Sequence, residues 1–256
     1  MGPGVTNFAE GDRVTYTGSP LGAYSTERVM PTESLVKLPA GIPFDVAAAV
    51  TARGLTSAYL LRRVGGLKAG DTVLLTAAAG GVGTVFTQWA RHLGINVIGT
   101  VSTDEKAEWA RAHGCTHTIV YTREDVSARV RELTDGRGVP VVYDTVGKTS
   151  YQSSLDSLAV RGLLVCCGTS SGPIPPIDAF ELARKGSLFV TRTALVDYTR
   201  DPAERAQLYS ELFDHLTSGK IRVEINQRYA LEDAVRAHRD MEAGITIGPS
   251  VYDLGL

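Results

Sequence analysis

The segment Ala78-Ala79-Gly80-Gly81-Val82-Gly83 has residue types and a spacing that can bind a phosphate through the backbone. It matches the second and third glycines of the pattern Gly-x-Gly-x-x-Gly, with alanine at the first. Gly80 lets the backbone approach a pyrophosphate, and Gly83 lets a helix pack closely on a strand. The N-terminus of such a helix directs N–H groups and a partial positive charge at the phosphates. The motif predicts a dinucleotide site; the alternative is a tight turn whose small residues serve packing alone.

The segments around this turn have the patterns of strands and helices. A β-rich run precedes it, and residues 84–93 carry apolar side chains at helical spacing before Gly94. The predicted strands are 71–76, 96–101, 116–120, 139–144, 162–167 and 187–191, and the predicted helices among them are 84–93, 104–113 and 124–133. This alternation predicts an α/β fold, with a parallel sheet covered by helices on both faces.

Both ends of the chain have a different pattern. Strand-like segments at 11–16, 22–27 and 35–37, separated by Pro and Gly, predict antiparallel β structure outside the parallel sheet. The C-terminal part predicts helices at 203–218 and 231–242 and a strand at 250–252. We expect residues 1–53 and 194–256 to form one smaller domain. A dinucleotide-binding domain, residues 54–193, is inserted into it, with hinges near 52–56 and 193–198.

The composition argues against several classes of function. The 256 residues carry a formal net charge of −2, which gives no reason to expect nucleic acid as a partner. The sequence has no apolar stretch of roughly 18 residues, as a membrane helix needs, and its N-terminus does not resemble a signal peptide. Its three cysteines and five histidines have neither a disulfide framework nor zinc-ligand spacing. We therefore expect a protein of the reducing cytoplasm without a metal or a membrane partner.

The residues after the second predicted strand bear on the choice of dinucleotide. NAD-binding proteins usually hold the ribose 2′-hydroxyl with an acidic residue about 20 residues beyond the glycines. Here Ser102-x-x-Glu105 fits a capping box, which accounts for Asp104 and Glu105 as residues of a first helical turn. Ser102 and Lys106 are then placed for a 2′-phosphate, which favours NADP over NAD. The alternative for Lys106 is a solvated lysine on a helix.

Motifs along the whole chain carry a family resemblance. They are, in order, Gly11-Asp12-Arg13-Val14, Gly22-Ala23-Tyr24, Ala47-Ala48-Ala49 with Gly54-Leu55-Thr56, residues 77–83, Val142-Tyr143-Asp144 with Val146-Gly147, and residues 229–238. Together they resemble the zinc-free, zeta-crystallin-like NADPH:quinone oxidoreductases of the medium-chain dehydrogenase/reductase superfamily. The resemblance implies a Rossmann doubly wound parallel sheet inserted into a GroES-like β-rich catalytic domain, with NADPH and substrate in the cleft between them.

Carried over position by position, the resemblance implies a cofactor site in several groups of residues. The pyrophosphate is held by Gly81 and Val82, with Gly80 of the motif. The adenosine ribose phosphate is surrounded by Ser102, Lys106 and Tyr121. The nicotinamide half is lined by Thr145, Val146, Gly168, Thr169 and Ser170, with Thr191, Arg192 and Thr193 beyond and with Thr56 and Tyr59 approaching from the hinge. The alternatives are a strand-end aromatic for Tyr121, a surface ion-pair partner for Arg192 and a helix cap for Thr56. Cys166 and Cys167 are interpreted as small core residues, because no activating base accompanies them.

The chain departs from the family pattern at both ends. Family members usually carry Arg or Lys near the C-terminus to grip the 2′-phosphate, whereas residues 242–245 are Glu-Ala-Gly-Ile. The match begins in the middle of the family's catalytic domain, so the GroES-like domain is expected to be incomplete by roughly 70 residues, about half a typical domain. We interpret Met1 as a GTG valine codon assigned as the start; the alternative is a natural short form.

The resemblance implies an enzyme that transfers hydride from NADPH to a quinone without a metal. The cofactor carries the hydride and solvent can protonate the quinol, so no catalytic side chain is assigned. One alternative is an enone or enoyl reductase of the same superfamily, and another is a truncated NADPH-binding paralogue without turnover. RNA binding is a weaker third alternative. We expect a homodimer.

Overall fold

The computed structural model describes residues 2–18 and 20–255. Two short antiparallel strands, β1 (Val14–Thr15) and β2 (Val36–Lys37), lie near the N-terminus. The strand predicted at 22–27 is wrong, because this segment forms bends and pairs with no neighbouring strand. Its Tyr24 side chain instead packs edge-on against Tyr252 and hydrogen-bonds His238, at 2.9 Å from its Nε2 atom.

Helix α1 (Phe44–Arg63) follows, and sequence patterns did not predict it. Most of its sides are buried, so it lacks the polar face that marks an amphipathic helix. Gly54 lies at its centre, where a Cβ would come within 2.8 Å of Leu212 Cδ2. The expected domain boundary at residues 53–54, like the hinge at 52–56, therefore falls inside a continuous packed helix. The limits of the two domains stay a prediction.

The central sheet has six strands, which alternate with helices along the chain. The strands are β3 (Thr72–Leu75), β4 (Asn96–Val101), β5 (His117–Val120), β6 (Val139–Asp144), β7 (Leu158–Cys166) and β8 (Phe189–Arg192), and the helices are α2 (Gly81–His92), α3 (Asp104–Ala112), α4 (Val126–Leu133), α5 (Tyr151–Asp156) and α6 (Ala179–Arg184). All neighbouring strands are parallel, in the order β5-β4-β3-β6-β7-β8. The predicted doubly wound α/β fold is confirmed.

The strand order reverses between β3 and β6, which lie side by side at the centre of the sheet. Leu74 is in register with Val142, and Leu75 with Tyr143. In a parallel sheet the carboxyl ends of all strands meet at one edge, and ligands bind where the order reverses. The turns after β3 and β6 therefore meet at the place where this fold can hold a ligand.

The C-terminal part packs back on the sheet. Its elements are α7 (Leu195–Tyr198), α8 (Pro202–Thr217), β9 (Gln227–Ala230), α9 (Ala234–Glu242) and β10 (Ser250–Asp253), with a 3₁₀ turn at Leu231–Asp233. Asp201 caps α8 by accepting hydrogen bonds from the N–H groups of Ala203 and Glu204. Strands β9 and β10 form a parallel pair of their own. No helix in the described ranges is long and apolar enough to cross a membrane.

Candidate cofactor site

The glycine turn leads from β3 into α2 as the motif predicts. Gly80 is the residue before the helix and makes no side-chain cap, so the first N–H groups of α2 have no acceptor within the helix. At Gly83 a Cβ would lie 2.6 Å from the carbonyl oxygen of Ala77, which only glycine avoids. The turn therefore packs tightly and also presents donors to the carboxyl edge.

The next turn along the edge, between β4 and α3, differs from the expected capping box. Thr103, not Ser102, is the N-cap, because its hydroxyl accepts the N–H of Lys106 at 3.2 Å. The helix thus starts one residue later than the box requires, and the Ser102 hydroxyl is not used as a cap. Ser102 instead lies beside the end of β5, where its carbonyl accepts a hydrogen bond from Thr122.

Lys106 and Tyr121 lie near Ser102, as expected. The N–H of Tyr121 donates to the carbonyl of Val101 at 3.0 Å, and the Tyr121 side chain is 53% exposed. The ammonium of Lys106 donates to the carbonyl oxygen of Gly244, and partial burial lowers its pKa. Lys106 is therefore held against residues 242–245, the stretch that lacks the Arg or Lys expected from the family resemblance.

A salt bridge flanks this group of residues. Both oxygens of Asp104 accept from the guanidinium of Arg123, at 2.7 and 2.5 Å, and this partner lowers the pKa of the carboxyl. Arg123 thus neutralises Asp104, whereas Glu105 in the same turn is exposed to solvent. The pair leaves the neighbourhood of Ser102 less repulsive to an anion than the sequence suggests.

The C-terminal segment 243–249 crosses both turns. The N–H of Gly248 donates to the carbonyl of Ala79 at 2.8 Å, and Gly248 forms a parallel bridge with Gly80. The Trp109 ring lies against Gly248, and its indole N–H donates to the Thr84 hydroxyl at 3.1 Å. These contacts join residues far apart in sequence, so no local sequence pattern could predict them.

At the centre of the edge, Asp144 fixes the turn after β6. Its carboxylate is 1% exposed and accepts hydrogen bonds from the N–H groups of Val146 and Gly147, at 2.8 and 2.9 Å, and from the hydroxyls of Ser150 and Ser154, each at 2.7 Å. Asp144 stood in a sequence motif but among no predicted site residues. It acts on Thr145 and Val146 through the backbone that it holds.

The ends of β3, β6 and β7 are close together at this point. The N–H of Thr145 donates to the Thr76 hydroxyl at 2.8 Å. A Cβ on Gly168 would lie 2.7 Å from the Cα atom of Thr145, so glycine is required there. Ser170 lies within 3.5 Å of the Thr145 carbonyl, and Thr169 is exposed beside it.

The end of β8 borders a cavity of about 310 Å³. The residues that line it are Arg63, Thr191, Arg192, Thr193, Ala194, Asp197, Tyr198 and Glu204. Buried Tyr59 donates or accepts a hydrogen bond with Thr193 at 3.0 Å and stacks on Tyr198, with the rings 4.1 Å apart. Burial raises the pKa of Tyr59 to about 12, so its hydroxyl stays protonated at neutral pH.

Two of the alternatives from the sequence have an outcome. Thr56 is not a helix cap, because it lies inside α1, where its hydroxyl donates to the carbonyl of Ala52 at 2.8 Å. Arg192 has no ion pair among the described residues and donates to the Cys166 carbonyl at 2.8 Å.

Burial raises the pKa of Cys166 to about 11 and of Cys167 to about 12, which leaves both thiols protonated at neutral pH.

Besides Asp144, sequence reasoning missed two residues at this edge. Tyr198 covers Tyr59 from α7, and no motif marked it. Arg53 lies three residues before Thr56, so helical spacing could have placed it on the same face if α1 had been predicted.

Comparison with known proteins places this geometry in a family. Residues 81–211 match the family model described as zinc-binding dehydrogenase. The chain is 51% identical over 251 residues to a quinone oxidoreductase of Pseudomonas aeruginosa, covering 98% of this chain and 77% of the relative. It is 46% identical over 254 residues to a 2-haloacrylate reductase of Burkholderia sp, covering 98% and 76%. The structure of Escherichia coli quinone oxidoreductase complexed with NADPH superposes with a TM-score of 0.96 at 43% identity, covering 98% and 78%.

The chain therefore belongs to the zinc-binding dehydrogenase family of the medium-chain dehydrogenase/reductase superfamily, as its motifs predicted. Despite the family's name, no three His, Cys, Asp or Glu side chains in residues 2–18 and 20–255 are grouped so that they could hold a metal ion. The donors in the described part of the chain therefore do not fit a zinc centre.

Proposed function

We propose that the protein is an NADPH-dependent oxidoreductase that transfers hydride to a quinone. The observation that carries the proposal is the convergence of three features at one sheet edge: the uncapped N-terminus of α2, the cation of Lys106 and the cavity beside Tyr59. The names of its relatives support the substrate class.

The same edge supports a role for each predicted site residue. Backbone N–H groups at Gly81 and Val82 suit a diphosphate, and Gly80, whose own N–H donates to the carbonyl of Ala77 at 2.9 Å, has no side chain to obstruct its approach. A polar group formed by Ser102, Lys106 and Tyr121, near the C-terminal segment, suits an adenosine with a 2′-phosphate. We assign the nicotinamide end to the remaining predicted residues, which are Thr56, Tyr59, Thr145, Val146, Gly168, Thr169, Ser170, Thr191, Arg192 and Thr193. The cation of Lys106 and the pairing of Asp104 with Arg123 favour NADPH over NADH.

NADPH, when bound, supplies the hydride; the protein must orient it and exclude water. The stacked rings of Tyr59 and Tyr198 form an apolar wall at the end of β8. The backbone held by Asp144 keeps Thr145 and Val146 in fixed positions at the switch point of the sheet. Hydride and one solvent proton together convert a quinone to its hydroquinone, so no side chain need donate the proton.

A titration of cofactor and a turnover assay test this proposal. We expect NADPH to bind more tightly than NADH and to be oxidised with 1,4-benzoquinone. Lys106→Gln should weaken NADPH by about tenfold, since a charge-assisted hydrogen bond is worth roughly 1.5 kcal/mol, and should leave NADH unchanged. Lys68→Gln is the control, because exposed Lys68 precedes β3 at the opposite edge. Equal affinity of the native chain for both cofactors would overturn the choice of NADPH.

A second candidate substrate is an α,β-unsaturated carbonyl compound. The 2-haloacrylate reductase relative favours it, since a haloacrylate carries a conjugated carbon–carbon double bond. The same assay with enones in place of quinones distinguishes the two substrates. Tight NADPH binding without oxidation by either panel would support a binding protein without turnover.

We also propose a cytoplasmic homodimer. Strand β8 is an edge of the sheet, and the exposed apolar side chains Val160, Phe180 and Phe189 lie on or near it, at 73%, 77% and 60% exposure. An unpaired apolar edge is suited to a second copy of the chain. Sedimentation should give a dimer, and Phe189→Lys should shift it toward monomer; a monomeric native chain would contradict this.

A further inference from the structure

Arg53 is a partly buried cation without an anionic partner in the described part of the chain. Its guanidinium donates to the carbonyl of Ala49 at 2.6 Å, one turn earlier on α1. No carboxylate of residues 2–18 and 20–255 forms an ion pair with it, although ion pairs hold many other arginines here, among them Arg123 and Arg228. Burial lowers the pKa of Arg53, which means that its surroundings disfavour the charge.

The Arg53 side chain lies across the start of α2. A Cβ on Gly81 would overlap the Nε atom of Arg53 and come within 2.6 Å of its Cδ atom. Helices α1 and α2 are in direct contact at this point, because the Ser57 hydroxyl of α1 lies 3.5 Å from the carbonyl oxygen of Val82 in α2. The same hydroxyl donates to the carbonyl of Arg53 at 2.9 Å. The guanidinium is thus next to the uncapped N–H groups of α2.

Two positive features are therefore adjacent at the start of α2. The N-terminus of a helix carries about half a positive charge, and a guanidinium is always protonated in proteins. Their repulsion, added to the partial burial of Arg53, costs stability unless a negative group binds to both. A diphosphate has the charge to do so, and arginine binds phosphate oxygens in a bidentate manner.

We infer that Arg53 is a binding residue for the diphosphate of the dinucleotide, acting together with the N–H groups of the glycine turn. This inference rests on the proposed function and deepens it. Its role is distinct from that of Lys106: the diphosphate is common to NADPH and NADH, so Arg53 contributes equally to both, whereas Lys106 distinguishes them.

The test measures the affinity of the full chain for NADPH, NADH, ADP and adenosine. Arg53→Gln should weaken NADPH, NADH and ADP by a common factor of about ten and leave adenosine unchanged, and Arg53→Lys should restore part of the loss. The control is Arg62→Gln on the same helix, where the Nε atom of Arg62 lies 3.6 Å from the carboxylate of Glu211 on α8. Thermal unfolding without nucleotide should be unchanged or raised by Arg53→Gln, because an unpaired cation is removed.

The outcomes separate this inference from the proposed function. Arg53→Gln affinities within twofold of the native chain would overturn the inference alone, and so would a loss confined to NADPH, which would place Arg53 at the 2′-phosphate. A lower unfolding temperature with unchanged nucleotide affinity would make Arg53 a packing residue. If the native chain binds neither NADPH nor NADH, the proposed function and the inference fail together.

Discussion

Two parts of the molecule differ in how much of their structure is held by buried side chains. The sheet part, residues 44–217, contains most of the two large core clusters, including fully buried Trp89, Phe86 and Tyr143. The flanking part, residues 2–43 and 218–255, contributes Leu38 and Ile42 to a small third cluster and has strands of two to four residues. The carboxyl edge is therefore positioned by the sheet part, and the flanking part is attached to it.

Several polar contacts make that attachment. The hydroxyl groups of Thr15 and Thr51 are 2.9 Å apart, Arg228 pairs with Asp45 at 2.6 Å, and Gly248 donates to Ala79. Each links a flanking residue to α1 or to the glycine turn. If the sheet part contributes most of the free energy of unfolding, substitutions in it should cost more stability than substitutions in the flanking part.

The largest effect is expected from Gly83→Ala. The new Cβ would overlap the backbone carbonyls of Ala77 and Ala78, which cannot move without displacing the glycine turn. We expect a loss of about 4 kcal/mol or more in the free energy of unfolding, measured by urea denaturation. Gly41→Ala in the flanking part is the control, because a Cβ there meets no atom within 4 Å. Similar losses in the two variants would remove the contrast.

Asp144→Asn should have the next largest effect. The carboxylate receives donors on both oxygens, so an amide N–H₂ would face one of them and lose at least one charge-assisted bond. We expect a loss of about 3 kcal/mol. Asp45→Asn, which breaks an exposed ion pair, should cost under about 1 kcal/mol in the same urea titration. A smaller loss at Asp144 than at Asp45 would show that the network does not stabilise the edge.

Alkaline unfolding tests the buried tyrosines of the sheet part. Burial raises the pKa of Tyr59 and of Tyr209 to about 12, from 10.0. Because the folded pKa is the higher one, their contribution is complete below pH 10 and is lost as the pH rises toward 12. Circular dichroism should show unfolding in that window. Tyr59→Phe and Tyr209→Phe should move the midpoint upward; exposed Tyr121→Phe should leave it in place, and a shift there would contradict this account.

The smallest effect is expected at the seam between the two parts. Thr51 also donates to the carbonyl of Ala47 at 2.7 Å, so Thr15→Val removes one hydrogen bond without orphaning the Thr51 hydroxyl. We expect a loss of roughly 1 kcal/mol or less. Amide exchange of Thr15 and Val36 should quicken while that of β3 and β6 stays slow. Faster exchange in the central strands would mean that the flanking part supports the sheet.

Sequence predicted the sheet part well for physical reasons. Strands β4 and β6 have the predicted bounds, because runs buried on both faces have uniform apolar patterns and Gly or Pro nearby. Helix α1 was missed for the opposite reason: it is buried on most sides, so helical periodicity is weak. The strand at 22–27 was wrong, since a strand needs a partner and local pattern does not supply one.

In the candidate site, too, local features could be predicted from the sequence, whereas contacts between distant residues could not. The glycine turn is a local feature, and its role as a tight strand-to-helix turn could be predicted from spacing. The contact of Lys106 with Gly244 joins residues that only the fold brings together. The capping error arose because Ser102 and Thr103 are both good caps, and the choice between them depends on where the strand ends.

The attachment of the C-terminal segment has an optical consequence. The chain has two tryptophans: Trp89 is 1% exposed and stacks on His215, whereas Trp109 lies against Gly248 and hydrogen-bonds Thr84. A chain with Trp89→Phe would retain a single indole, at the junction of the segment and the glycine turn. Its emission would report the release of that junction directly, separately from the unfolding of the sheet.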